Sequence, residues 1–335
     1  MAEEVLRVIE MIVILALVIL AGLFLRRKEL LDKGSTERLS RFVVDAAFPA
    51  LVFASMLRSI DRAVLAESWY FPLIGFIILA VGMGMGLFWT QLAMKGVEKP
   101  VSGSAAFAAG TPNWLFLPLP IAIALYGDLG ERIVLLVNAG ALLAFWSIGV
   151  GAVKGKIPGT AMVRSILLNP GLIATILGIA LAILFPWAQD LEQLDITDTG
   201  PGLAVLSIIV QAIAFVGDVT VPLAMIVTGS MLAGAGAAGA WNRRVIGIAA
   251  VRLAAFPLLV MLLLGMARIA GLHLDAAVGM TLLIISAMPV AVTCTIVAEK
   301  YDGDVSLVAR TIFVSTILSV ATVPALVWLA QAMGF

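Results

Sequence analysis

Apolar residues run along this chain in long blocks separated by short polar stretches. The pattern yields ten spans, at roughly 5–26, 40–58, 69–94, 101–127, 131–153, 167–187, 200–233, 243–270, 275–299 and 304–332. Runs of ~20 apolar residues fit helices that cross a bilayer, whereas membrane strands alternate over ~10 residues. The expected fold is therefore an all-α polytopic membrane protein with ten transmembrane helices. The seventh block is too long for one straight span. Its Gly-rich end, GSMLAGAGAAGA, is expected to belong to a connection.

The fourth block does not read as a continuous helix. Ala105–Gly127, AAFAAGTPNWLFLPLPIAIALYG, carries Pro112, Pro118 and Pro120, with polar Thr111 and Asn113 in mid-span. A proline removes one intrahelical hydrogen bond and clashes with the carbonyl four residues back. Backbone freed at membrane depth survives only inside protein or along a cavity. A broken helix is thus expected here and another near Pro289, the kind of element on which secondary transporters hold their substrates.

Composition agrees with the pattern. Of 335 residues, 62% are hydrophobic and 13% charged, against about 25% charged in soluble domains; mean hydropathy is +1.13. Net charge is zero, and basic residues fall in short loop clusters, so nothing points to nucleic acid. One cysteine, Cys294, and one histidine, His273, exclude an internal disulfide and a Cys/His metal cluster. No Walker-type loop is present, which excludes ATP as a direct energy source, and no cofactor is expected. The start, MAEEV, enters its apolar run without a basic n-region, so a cleaved signal peptide is not expected. With the N-terminus outside, fifteen of the 21 Lys and Arg fall in inside loops, five outside, and Arg252 within a span. Both termini are then outside. Trp69, Trp89, Trp187, Trp241 and Trp328 sit at span ends as an interfacial belt.

The chain also repeats itself. Asp45-Ala-Ala-Phe-Pro49 in span two is matched by Asp218-Val-Thr-Val-Pro222 in span seven. Pro112 precedes Tyr126-Gly127-Asp128, and Pro289 precedes Tyr301-Asp302-Gly303-Asp304, at similar distances. Two five-helix units follow, 1–155 and 160–335. An odd number of spans per unit inverts the second relative to the first, the arrangement that supports alternating access.

Candidate chemistry concentrates at the two breaks. If Pro112 and Pro289 cross at the midplane, each break leaves a half-helix N-terminus there, with unpaired N–H groups and roughly half a positive charge. Two such ends attract an anion, most simply a carboxylate, without lysine or arginine. Asn113 adds a side-chain donor, and Thr111, Ser286, Thr293 and Thr295 are placed to bond ligand or freed backbone. Trp114 beside the break and Asn138 and Trp146 in span five are candidate pocket residues, with packing the alternative for each. Asp45 and Asp218 are intramembrane acids, costly unless used. They are read equally as proton or cation sites and as scaffold charges, one of them paired with Arg252. A remoter reading makes them the aspartates of an intramembrane protease, although FVGDVTVP lacks Gly-x-Gly-Asp.

TPNWLFLPLPIAIALYGDLG resembles the fourth-helix signature of the auxin efflux carrier family, which includes plant PIN-type exporters and bacterial organic-acid carriers. SAMPVAVTCTIVAEKYDGD, followed by STILSVATVP, is similar to its ninth-helix signature, and RFVVDAAFPALVFASM and LLNPGLIATILGIAL to its second and sixth. The resemblance covers nearly the whole chain. It implies a ten-helix 5+5 inverted repeat with helices four and nine broken and crossed, as in sodium–proton antiporters and bile-acid symporters. Helices 1, 2, 6 and 7 would form a dimerising scaffold and the remainder a transport unit moving as an elevator. Asn113 matches the family's polar crossover residue, Pro289 the proline of the second crossover and Pro120 the proline ending the first motif. Pro118 departs from the usual glycine. Span three lacks the acid–lysine pair of plant exporters, and no long hydrophilic loop follows Lys154. The combined expectation is a plasma-membrane, homodimeric carrier of a small organic anion, either an aromatic acid or a mono- or dicarboxylate, in contact with lipid. The alternative is a sodium- or proton-coupled symporter of related fold.

Overall fold

The computed structural model describes residues 2–154, 164, 166–194, 200–235, 240–272 and 274–335. His273 and the junction of the two expected units lie outside them. The described residues are helical, with one isolated antiparallel bridge and no strand. In chain order the main helices are α1 (Ala2–Arg27), α2 (Lys33–Ser59), α3 (Phe71–Ala93), α4 (Lys99–Gly110) and α5 (Pro118–Val153). They continue with α6 (Pro170–Leu184), α7 (Pro201–Asp218), α8 (Thr220–Ala235), α9 (Arg243–Ile269), α10 (Ala276–Ala287), α11 (Thr293–Lys300) and α12 (Val305–Ala332).

Among the described residues, seven helical runs are long and apolar enough to cross a membrane, and α6 and α10 are shorter apolar helices. The difference from ten has a local cause. Spans four and nine are each cut in two, the lower part of span four being α4 and its upper part the first arm of α5. α6 is only 15 residues long. α5 changes direction at Gly127, whose φ of 55° lies in the left-handed region that glycine enters without strain. The matching tyrosine turn passes through Asp302, also at φ 55°, before Asp304 caps α12 by accepting from the Leu307 amide.

The Gly-rich end of span seven corrects one expectation. α8 continues through Gly229-Ser-Met-Leu-Ala-Gly-Ala235 as helix, because this stretch packs against α1. A Cβ on Gly229 would sit 1.8 Å from the Ile19 carbonyl oxygen, so only glycine lets the two backbones approach this closely. Thr36 of α2 and Ser230 of α8 share a buried 2.6 Å hydroxyl contact on the other side. The core of the molecule is built from the crossover segments, the inner arm of α5, and α10, which is buried from Ala277 to Ala287. α7 leaves Leu203, Val205, Ile208, Ile209 and Phe215 exposed, an apolar face suited to lipid or another chain.

Three helices carry π-helical turns, Val43–Ala47 in α2, Phe145–Gly149 in α5 and Val251–Ala255 in α9. The first and third lie just ahead of a proline, Pro49 or Pro257, whose missing N–H interrupts the helical ladder.

Candidate functional site at the helix crossover

The break in span four covers Thr111–Leu117, and that in span nine covers Met288–Val292. The two meet. Pro112 bridges Val290 in antiparallel fashion, the Asn113 amide donates to the Pro289 carbonyl at 2.7 Å, and the Ala291 amide donates to the Thr111 carbonyl at 3.2 Å. Each freed segment thus supplies hydrogen-bond partners to the other, which is how broken backbone persists at membrane depth. Val290 is held from the opposite side, its amide donating to Ser315 Oγ of α12 at 3.2 Å.

Prolines 118 and 120 do not break a helix. They sit in the first turn of α5, where no intrahelical acceptor is needed, and so start it. The crossover role expected of Pro120 is therefore performed by Pro112 and Pro289, with Pro118 and Pro120 fixing where α5 begins.

A cavity of about 890 Å³, part of it continuous with solvent, opens beside the crossover. Its walls come from two sides. α2 and α8 contribute Ser40, Val43, Phe48, Val227 and Thr228, and the N-cap of α6 contributes Asn169. Facing them are Asn113, Trp114 and Phe116 of the first break, Asn138 of α5, and Val292 and Thr293 at the head of α11. Among the described residues no charged side chain lines it.

The polarity of this cavity follows from which atoms are already engaged. Trp114 Nε1, which can only donate, bonds Asn138 Oδ1 at 2.8 Å. The Phe116 amide bonds Asn113 Oδ1 at 3.1 Å, and the Leu172 amide bonds Asn169 Oδ1 at 3.0 Å. In all three asparagines the oxygen is tied down and the NH₂ group is the part left to meet a ligand. At the head of α11 the Cys294 and Thr295 amides are taken by the Ala291 and Val292 carbonyls, and the positive end of the helix adds to the polarity of the site. Such a set takes an acceptor-rich, negative group, and the Phe48, Trp114, Phe116 and Val227 walls take an apolar body.

A family comparison fits this architecture. The pattern of the membrane transport protein family (Mem_trans) matches residues 7–157 and 154–329. The chain belongs to this family, that of the auxin efflux carriers. It is similar to an uncharacterized transporter of Methanothermobacter thermautotrophicus, 24% identical over 325 residues that cover 94% of this chain and 96% of that one. It is also similar to an uncharacterized transporter of Methanocaldococcus jannaschii, 23% identical over 324 residues that cover 96% and 98% of the two.

In this multi-pass membrane transport protein, the residues singled out in the sequence separate into two groups. Asn113, Trp114, Asn138 and Thr293 line the cavity. Thr111 and Ser286 are fully buried and turn away, Thr111 toward Met83 Sδ at 3.6 Å and Ser286 to the Leu283 carbonyl at 2.7 Å. Thr295 bonds the Val292 carbonyl at 2.8 Å. Trp146 packs edge-on to Phe145, which in turn stacks with Trp114.

Asp45 and Asp218 are both exposed on the protein surface, and neither lines this cavity. Neither pairs with Arg252, so the reading of one of them as its scaffold partner does not hold. That arginine is fully buried and bonds two backbone carbonyls instead. Among the described residues no cluster of His, Cys, Asp and Glu could hold a metal ion.

Two contributors were not picked out from sequence. Asn169 had a signal, an Asn-Pro pair that caps α6 with proline in its first turn. Arg252 was visible only as a lone cation inside a span.

A second hollow, about 1190 Å³, is lined by Leu15 and Ile19 of α1, Leu117, Pro289, and Phe313 and Ser319 of α12, and shares no lining residue with the first.

Proposed function

We propose that this membrane transport protein is a secondary carrier of a small organic anion, one whose carboxylate sits at the crossover and whose apolar body rests on Trp114 and Phe116. The observation that carries the reading is that three asparagines whose oxygens are engaged elsewhere line a cavity in which no described side chain is charged. Such donors bind an anion while leaving it free to depart, which a buried lysine or arginine would not.

In this reading the chain forms a ten-span inverted repeat in the cell membrane, with both termini outside. α1, α2, α6, α7 and α8 make the dimerising scaffold. The remaining helices carry the cargo as an elevator. Aromatic acids and short mono- or dicarboxylates are the substrate classes that fit. Asp45 and Asp218 stand outside the cargo site.

The test is uptake of radiolabelled carboxylic acids, indole-3-acetate and benzoate among them, into proteoliposomes. Asn113→Ala removes one donor and the acceptor that holds the Phe116 amide. Transport is expected to fall by about 100-fold while the folded protein is unchanged in size-exclusion profile. Uptake persisting at the wild-type rate would remove Asn113 from the site.

A further inference from the structure

Arg252 is the one charged side chain buried to 0% exposure in this chain among the described residues, and no carboxylate pairs with it. Its guanidinium donates to the Ala109 carbonyl at 3.3 Å and, more closely, to the Ser286 carbonyl. Its plane lies over the Phe256 ring, 4.2 Å from the centroid, and Nε has no partner. The two carbonyls occupy equivalent places. Ala109 is the penultimate residue of α4 and Ser286 the penultimate residue of α10. These are the half-helices that run into the crossover and stop.

A buried cation without a counter-ion costs several kcal/mol or more and does not persist. Here the counter-charge is backbone. Each helix C-terminus carries about half a negative charge, so two ends supply roughly the single charge that one guanidinium needs. The converse holds as well. Two helix ends brought together in a low dielectric repel, and their last carbonyls lack intrahelical donors. We infer that Arg252 is an internal counter-ion and positioning residue of the crossover: it joins the C-terminal ends of α4 and α10, so that the positive end of α11, where Thr293 lines the cavity, is left to face the anion. The inference rests on the carrier reading above for its last step only. It adds that the carbonyls a small coupling cation would use are already occupied by a side chain that keeps its charge at neutral pH.

Replacing Arg252 should create a demand for an external cation, which a purely steric role would not. The experiment compares wild type, Arg252→Ala and Arg252→Lys by thermal unfolding in detergent and by benzoate and indole-3-acetate uptake. Each is run with low-millimolar guanidinium chloride, sodium chloride or neutral urea. Arg252→Ala is expected to lower the unfolding midpoint and cut uptake by about 100-fold. Guanidinium should restore part of both, and urea neither. Arg252→Lys, which keeps the charge and loses the fork, should retain most of the transport rate.

Wild-type behaviour of Arg252→Ala would overturn the inference, as would an Arg252→Lys protein that folds yet is as inactive as Arg252→Ala without guanidinium rescue. If Arg252→Ala cannot be purified, the Arg252→Lys comparison decides alone. Wild-type protein that moves no carboxylate would sink the anion reading, and the unfolding arm would still decide the role of Arg252.

Discussion

An asparagine amide offers an acceptor and a donor, and three positions here spend the acceptor on the protein itself. Trp114 Nε1 and the amides of Phe116 and Leu172 hold the oxygens of Asn138, Asn113 and Asn169. The remaining NH₂ groups define the sign of the cavity. Asn138→Asp keeps the acceptor for Trp114 and replaces the donor by a second carboxylate oxygen. Like charges juxtaposed in a site cost several kcal/mol, so the KM for a carboxylate is expected to rise ~100-fold or more in initial-rate uptake assays. An unchanged KM would show that Asn138 does not face the cargo. At this scale the sequence was only partly legible. Asn113 could be found because it follows Pro112 in an otherwise apolar span. Asn138 lay in an unbroken run, where packing was the favoured role, and its link to Trp114 is a contact across 24 residues that no local pattern encodes. Arg252 was harder still, because its partners are carbonyls of two separate helices, and backbone leaves no mark in a sequence.

At the scale of elements, the positions of the prolines and glycines explain most of the architecture. Pro112 and Pro289 lie in the breaks, Pro118 and Pro120 at the start of α5, and Pro49 and Pro257 just beyond π-helical turns. Local chemistry of this kind is readable, and the breaks in spans four and nine followed from it. What local chemistry could not show was α8. Its glycines look like a flexible connection until α1 is placed beside them, and tertiary packing then overrides composition. Gly229→Leu is accordingly expected to force α1 and α8 apart and to cost about 1–3 kcal/mol, measured as a lower unfolding midpoint in detergent. Gly279, where an added Cβ would meet nothing within 4 Å, is the control position, and alanine there should leave the midpoint unmoved.

Across the whole molecule, the walls of the cavity are joined at one end by an ionic cluster. Arg58, at the end of α2, contacts Glu131 of α5 at 3.0 Å and Glu192, beyond α6, at 3.2 Å, and Arg132 donates to the Ser59 carbonyl at 3.3 Å. Glu131 is the buried member, its side chain only 8% exposed. A unit that moves past the scaffold must break the Arg58–Glu131 contact on every cycle. Cysteines at positions 58 and 131, in a Cys294→Ala background and joined by a flexible bismaleimide, are expected to stop uptake while leaving carboxylate binding measurable. Continued turnover of the cross-linked protein would argue against relative motion of these two helices.

The guanidinium at the crossover has an electrical consequence. If the crossover unit carries a monocarboxylate as proposed above, the guanidinium gives the empty unit one fixed positive charge in the membrane field and the cargo offsets it in the loaded one. Each elementary charge is worth about 2.3 kcal/mol per 100 mV, so voltage should act on the unloaded return alone. One-for-one exchange of labelled for unlabelled substrate would then proceed equally fast at any clamped potential, and net flux would follow the potential steeply.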